Sequence, residues 1–184
     1  AQDKHEAALA CANHALSLNR LSRPSVRVTA EILQLLGRDE EALALLSEAD
    51  RVLESGQITV HIALLQTELG RHEEALGAWL RARELHPLAE ADVAVWFDAK
   101  LADTLYYTGR LSEAAERAQG AGAGFYESLA KKLATDPRNG RKILHVDFVA
   151  QFHMTCVPAT LSALCRYWKM PVDHAALAAE ICYE

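Results

Sequence analysis

The chain contains the heptapeptide Gly37-Arg38-Asp39-Glu40-Glu41-Ala42-Leu43, and it repeats the pattern as Gly70-Arg71-His72-Glu73-Glu74-Ala75-Leu76. A weaker copy follows as Gly109-Arg110-Leu111-Ser112-Glu113-Ala114-Ala115, after a somewhat longer interval. A copy without its glycine, Asp3-Lys4-His5-Glu6-Ala7-Ala8-Leu9, opens one such interval before Gly37. A period of about 34 residues, as between the first two glycines, is typical of stacked helical repeats.

Small residues recur in the same register. An alanine stands twelve residues after the start of each motif and another stands seven residues before each glycine: Ala15, Ala49, Ala82 and Ala121, then Ala30, Ala63 and Ala102. Helices that cross closely need small side chains where their backbones approach. Each glycine is predicted to end a first helix in a left-handed cap, and the acidic residues after it suit the N-terminus of a second helix.

These motifs resemble the tetratricopeptide repeat family over roughly residues 1–125. The resemblance implies an all-α superhelix of helix pairs whose concave face, lined by the first helix of each pair, binds a protein or peptide. We expect about three and a half units in a domain spanning residues 1–135, with the first helix of the first unit missing. The stretch 120–124, Gly-Ala-Gly-Ala-Gly, departs from the pattern. The alternative is an irregular helical bundle.

Partner-binding residues are predicted where first helices face outward on the concave side. They are Arg27, Glu31, His61, Trp96, Lys100, Asp103, Tyr106 and Tyr107, with Gln34, Val60 and Leu64 beside them. Aromatic side chains mixed with charge are the usual composition of a binding hot spot. The alternative for any single aromatic is packing between units. The basic and asparagine clamp with which some family members hold a peptide's C-terminal carboxylate is not supplied at these positions.

The helical period stops after residue 135. Turn dipeptides occur at residues 136–137 (Asp-Pro) and 139–140 (Asn-Gly), and residues 143–149 favour a short extended segment. Two helices are predicted next. The first begins at Thr155 as its cap and repeats apolar residues at helical spacing, and the second runs from His174 to about Cys182 with Asp173 as its cap. The apolar positions are Val157, Leu161, Leu164 and Trp168.

Cys156 falls in the first turn of the first of these helices. A thiol there lies in the positive field of the helix N-terminus, which favours the thiolate. The side-chain amide of Gln151, five residues upstream, together with the backbone N–H of Cys156, suits an oxyanion hole. This arrangement is the nucleophile half of a papain-like cysteine peptidase.

The C-terminal part of the chain resembles the bacteriocin-processing cysteine peptidase family over about 40 residues. The features that carry the resemblance are Gln151, Cys156, Pro158-Ala159, the helix to Tyr167-Trp168, and Pro171-Val172. The resemblance implies that Cys156 is the nucleophile and Gln151 the oxyanion-hole side chain. Thr155 and Val157 stand where the family usually has an acidic residue and a glycine.

The predicted second domain, residues 136–184, lacks the downstream His and Asp or Asn of such a peptidase. His153 and His174 are interpreted as surface or packing residues, and Cys165 and Cys182 as buried helix residues. We therefore expect this chain by itself not to hydrolyse peptide bonds, and whether its parent protein is an enzyme stays open.

Composition narrows the function further. The net charge of −6 argues against a nucleic-acid partner, because phosphate backbones select clustered Lys and Arg. No apolar run approaches the roughly 20 residues that span a bilayer. Four scattered cysteines without a CxxC pair indicate a reducing, cytoplasmic compartment. No spacing of metal ligands occurs, and no cofactor is predicted.

Two functional hypotheses follow. The first is a protein-interaction scaffold of helical repeats, coupled in the parent protein to a cysteine-peptidase-like domain that acts on peptide or amide bonds. The second is a pure adaptor whose C-terminal helices form an inert cap, with Cys156 unreactive. Apolar helix faces within residues 155–182 also predict that the tail can dimerise.

Overall fold

The computed structural model describes residues 2–122, 124–135, 146–147, 149, 155–170 and 172–182. Among these residues every regular element is an α-helix and none is a strand, which confirms the predicted all-α class. The chain divides into two compact units, Ala1–Gly140 and Arg141–Glu184.

The described part of the first unit forms eight helices. They are α1 (Gln2–Leu18), α2 (Arg23–Leu35), α3 (Asp39–Leu53), α4 (Gly56–Glu68), α5 (His72–Glu84), α6 (Ala91–Tyr107), α7 (Leu111–Gly120) and α8 (Phe125–Thr135). Each helix packs against the next one along the chain, and α2 also contacts α4. Short connections between consecutive helices produce this sequential packing.

The glycines of the repeated motif end α2, α4 and α6. Gly37, Gly70 and Gly109 have φ values of +72°, +73° and +79°, the left-handed region that glycine adopts without steric penalty. At each one the next residue's N–H donates to a carbonyl five residues back: Arg38 to Leu33 at 2.8 Å, Arg71 to Gln66 at 2.9 Å, and Arg110 to Leu105 at 2.9 Å. These are Schellman caps, as the motif predicts.

The recurring alanines lie where helices meet. Six of the seven are buried, namely Ala30, Ala49, Ala63, Ala82, Ala102 and Ala121, and Ala15 is half-buried. Larger side chains fill the space beside them, with Leu46 and Ile58 in one core cluster and Trp79 and Phe97 in the next. Because alanine keeps the helix axes close, these bulky residues reach across to neighbouring helices.

The arginine after each capping glycine forms a charged contact outside the core. Arg71, before α5, pairs with Glu40 on α3. The other two arginines pair locally, each with a glutamate in the first turn of the helix that follows it: Arg38 with Glu41 at 2.7 Å and Arg110 with Glu113 at 2.5 Å. Exposed pairs of this kind add little stability, and of the three only the Arg71–Glu40 pair joins one helix pair to the next.

The glycines at which the sequence departs from the repeat pattern lie at the end of one helix and before the start of the next. Helix α7 ends at Gly120, and α8 begins at Phe125. Between them, Gly122 and Gly124 have φ values of +91° and +84°. The Tyr126 hydroxyl donates to Asp103 Oδ2 at 3.0 Å and joins α8 to α6. The period of the motif did not predict α8, because the glycine-rich stretch interrupts the spacing.

In the second unit the described residues form α9 (Cys156–Tyr167) and α10 (His174–Ile181). Asp173 caps α10 by accepting from the Ala176 N–H at 2.9 Å, as predicted. Thr155 is the N-cap residue of α9, as predicted, although its side chain makes no capping hydrogen bond. Its hydroxyl is hydrogen-bonded to His174 Nε2 at 3.1 Å instead. Ser162 Oγ, fully buried, donates to the Val172 carbonyl at 2.7 Å.

Most of the extended segment predicted at residues 143–149 lies outside the described residues. The three described there, at 146, 147 and 149, belong to no strand. Cys165 and Cys182 are half-buried, which corrects the prediction of buried helix residues. Cys182 follows the last turn of α10, where helix packing covers it incompletely.

Alanine at Gly70 and alanine at Gly77 are expected to change stability in opposite directions. At the left-handed Gly70 a β-carbon costs about 1–2 kcal/mol of backbone energy. Gly77 lies inside α5 with no other helix or side chain within 4 Å of where a β-carbon would stand, so alanine adds about 0.5–1 kcal/mol there. Urea unfolding of both variants measures the difference. Equal stability of Gly70→Ala and the wild type would contradict the left-handed cap.

Candidate functional site

A groove of about 400 Å³ opens between α2, α4 and α6 in the first unit. Its polar wall consists of Arg27, Glu31, Gln57, His61 and His86. Its apolar wall consists of Val60, Leu64, Val93, Trp96 and Phe97. Four of the eight predicted partner-binding residues therefore line one cavity, although they come from three different helices.

The two charged residues that line the groove, Arg27 and Glu31, pair with each other. Arg27 Nη2 lies 3.6 Å from Glu31 Oε1, one helical turn along α2. Arg27 Nη1 also donates to Gln57 Oε1 on α4 at 3.4 Å. Because this cation and this anion pair with each other, the described wall carries no net formal charge when its histidines are neutral.

His61 stands at the middle of the polar wall. Its Nε2 donates to Gln34 Oε1 at 2.6 Å, which ties α4 to α2. Burial lowers the pKa of His61 from its ordinary value of 6.5, and Arg27 lowers it further, while Glu31 and Glu68 act in the opposite direction. The balance favours a neutral imidazole at neutral pH.

Trp96 forms the aromatic edge of the groove. Its ring stands edge-on to Trp79 at 5.3 Å and to Phe97 at 5.1 Å between ring centroids. Trp79 is fully buried, and its indole N–H donates to Thr67 Oγ1 at 3.3 Å. Trp96 itself is 36% exposed. The supported ring is an exposed aromatic surface that packing holds in place.

His86 closes the groove beyond the end of α5. Its Nδ1 donates to the Ala82 carbonyl at 2.7 Å, and its ring lies over Phe97 with centroids 5.3 Å apart. A β-carbon on Gly56 would collide with the His86 ring. Glycine at the first position of α4 therefore makes room for this imidazole.

The other four predicted partner-binding residues, Lys100, Asp103, Tyr106 and Tyr107, lie on α6 outside the groove. Asp103 accepts from Tyr126, and burial raises the pKa of Asp103 while this bond and Lys100 lower it. Burial and Asp103 together raise the pKa of Tyr126 to about 12. Tyr106 is half-buried against the core, and Tyr107 stacks on His72 with centroids 4.5 Å apart.

Sequence reasoning missed several groove residues. Val93 stands three residues before Trp96 and four residues before Phe97, so helical spacing places Val93 beside both aromatic residues and is a signal for this side of α6. Gln57 and His86 carry no such signal. They reach the groove because α4 begins, and α5 ends, beside it.

The second unit presents Cys156 as the first residue of α9, and the residue is exposed. Gln151 and His153 lie outside the described residues. His174 is buried and bonded to Thr155, the neighbour of Cys156. The apolar residues that predicted α9 stay exposed along one side of it, namely Val157, Leu161, Leu164 and Trp168.

The described residues contain neither a cluster of metal ligands nor a membrane-spanning helix. These residues bring together no group of three or more His, Cys, Asp or Glu side chains that could hold a metal ion. None of the helices among them is both long and apolar enough to cross a membrane. The four cysteines, all within these ranges, are free thiols.

Comparisons with known proteins identify no family for the chain. No protein-family model matches it, and no curated protein matches it significantly. A function must therefore be inferred from the groove and from the exposed thiol.

His61 is expected to make the protein less stable in mild acid. With its pKa lowered by folding, the unfolded chain binds more protons between the folded pKa and 6.5, so stability falls as the pH drops through that window. NMR titration of the His61 Cε1 proton should give a midpoint below that of the urea-unfolded chain. The variant His61→Gln should lose that part of the decline, and an unchanged pH profile would refute the assignment.

Proposed function

We propose that the first unit is a protein-interaction scaffold of the tetratricopeptide type, and that its groove binds a peptide segment of a partner protein. The observation that carries the proposal is the convergence of Arg27, Glu31, His61 and Trp96 on one cavity. Helix pairs that recur with the period of the sequence motif, each turned by a left-handed glycine, support the repeat type.

The composition of the groove suits a binding role. An exposed tryptophan backed by buried aromatic rings supplies contact area with little loss of conformational freedom on binding. Beside this ring, the Arg27, Glu31 and Gln57 side chains bond to one another and give the groove a polar wall of fixed geometry. A volume of about 400 Å³ accommodates a short stretch of peptide rather than a folded surface.

Selection of phage-displayed random peptides on the immobilised protein tests this role. Selected peptides should lose at least tenfold in affinity on Trp96→Ala. A tenfold loss corresponds to about 1.4 kcal/mol of binding free energy, which is less than the roughly 2 kcal/mol or more that truncation of an aromatic anchor costs. They should bind Tyr107→Ala like the wild type, because Tyr107 stacks on His72 outside the groove. Circular dichroism controls for folding. Equal binding to folded Trp96→Ala would overturn the groove as the site.

A second function is proposed for the second unit, on a separate observation. Cys156 is exposed at the N-terminus of the twelve-residue α9, where a cysteine nucleophile is accessible to a substrate. We propose that this unit belongs to a cysteine-peptidase-like domain that resembles the bacteriocin-processing family and acts on peptide or amide bonds. The competing proposal is an inert helical cap beside a pure adaptor.

Alkylation by iodoacetamide at neutral pH separates these two proposals. Cys11 is also exposed but lies in the middle of α1, so it is a matched thiol without the field of a helix N-terminus. In a background with Cys165→Ala and Cys182→Ala, the chain carrying only Cys156 should react several-fold faster than the chain carrying only Cys11. Equal rates would favour the inert cap.

A further inference from the structure

We infer that the groove between α2, α4 and α6 binds an uncharged, apolar side chain of the partner segment, aromatic or branched aliphatic, and discriminates against charged ones. The inference rests on the proposed peptide-binding function and specifies the chemistry of its ligand. Charge balance, polar pairing, ring geometry and volume each support it.

The charge balance of the groove disfavours a charged ligand group. Arg27 and Glu31 neutralise each other at 3.6 Å. An acidic side chain attracted to Arg27 would be repelled by Glu31, and a basic one attracted to Glu31 would be repelled by Arg27. Either charge would also lose water on entering the cavity, and the paired charges of the described wall compensate that loss poorly.

The polar wall is already hydrogen-bonded. Arg27 donates to Gln57, His61 donates to Gln34, and His86 donates to the Ala82 carbonyl. None of the buried side-chain polar atoms of these groove residues lacks a hydrogen-bond partner, so a polar ligand satisfies no unpaired group by entering. An apolar ligand leaves all three in place and still gains burial, at roughly 25 cal/mol per Å² of apolar surface.

The opposite wall offers apolar contact. Val60, Leu64 and Val93 line it together with the rings of Trp96 and Phe97. Trp96 supplies the exposed ring, and the buried Phe97 supports it nearly edge-on at an interplanar angle of 68°, so a ligand ring packs against Trp96. The cavity lies near the small end of ligand pockets, which suits one or two large side chains.

Protonation of His61 makes the same preference depend on pH. The charged groups that face His61 are Arg27 and Glu31 on α2 and Glu68 on α4, and His86 lines the same groove. Acidification adds a positive charge beside the Arg27–Glu31 pair, which ends the neutrality of the wall. An apolar ligand should then bind more weakly, and His61→Gln should reduce this dependence of binding on pH.

The probes are capped pentapeptides with glycine at four positions and Phe, Leu, Lys or Glu at the centre. Binding is followed by NMR through the indole N–H of Trp96, which Trp96→Phe identifies. The Phe and Leu peptides should shift this signal, and the Lys and Glu peptides should bind at least tenfold more weakly. Equal or tighter binding of a charged peptide, or no shift with any peptide, would overturn the inference.

Two matched variants test the charge argument directly. Val93 lines the groove and is 37% exposed, whereas Val95 is 40% exposed and lies outside it, beside Gly122. Both stand near the N-terminus of α6, where aspartate is tolerated. Val93→Asp should lose the Phe peptide and gain the Lys peptide, and Val95→Asp should change neither. Identical behaviour of the two folded variants would contradict the inference.

The same experiments separate failure of the inference from failure of the proposed function. Display-selected peptides that need Trp96 but carry a charged residue as their anchor would overturn the apolar preference and leave the peptide-binding role standing. Selected peptides that ignore every groove variant would overturn the peptide-binding role itself.

Discussion

At Gly37, Gly70 and Gly109 the backbone turns left-handed, and this turn determines how the second helix of each pair returns along the first. In all three cases the N–H of the following residue bonds to a carbonyl of the preceding helix. This bond fixes the direction in which the chain leaves that helix. Any other residue would strain the same conformation. The packing of α2 on α3, α4 on α5 and α6 on α7 depends on this turn.

Close packing follows from the turn only because small side chains occupy the crossings. Ala30, Ala63 and Ala102 on the first helices are fully buried, and they let the second helices approach closely. The space left between α2, α4 and α6 becomes the groove. Its chemistry therefore derives from other side chains of the same three helices and from His86, which lies between α5 and α6.

The groove combines a rigid aromatic edge with a polar wall whose charges cancel. This combination differs from a clamp that grips a terminal carboxylate, because Arg27 is engaged by Glu31 and Gln57. The second unit has chemical features of its own, unrelated to the groove. Its exposed thiol and its apolar side on α9 depend on local helix structure, and nothing in the groove is needed to explain them.

The sequence alone determined the helical class, the caps at the three glycines, the buried alanines and four groove residues, because each follows from local backbone preference or from helical spacing. It did not predict α8, whose glycine-rich approach hides the period, and it placed Tyr106 and Tyr107 with Trp96 on a shared face. Only tertiary packing decided that Tyr107 stacks on His72, that the Thr155 side chain bonds His174, and that Gln57 and His86 reach the groove. Those positions depend on contacts between residues far apart in the chain, which no local pattern encodes.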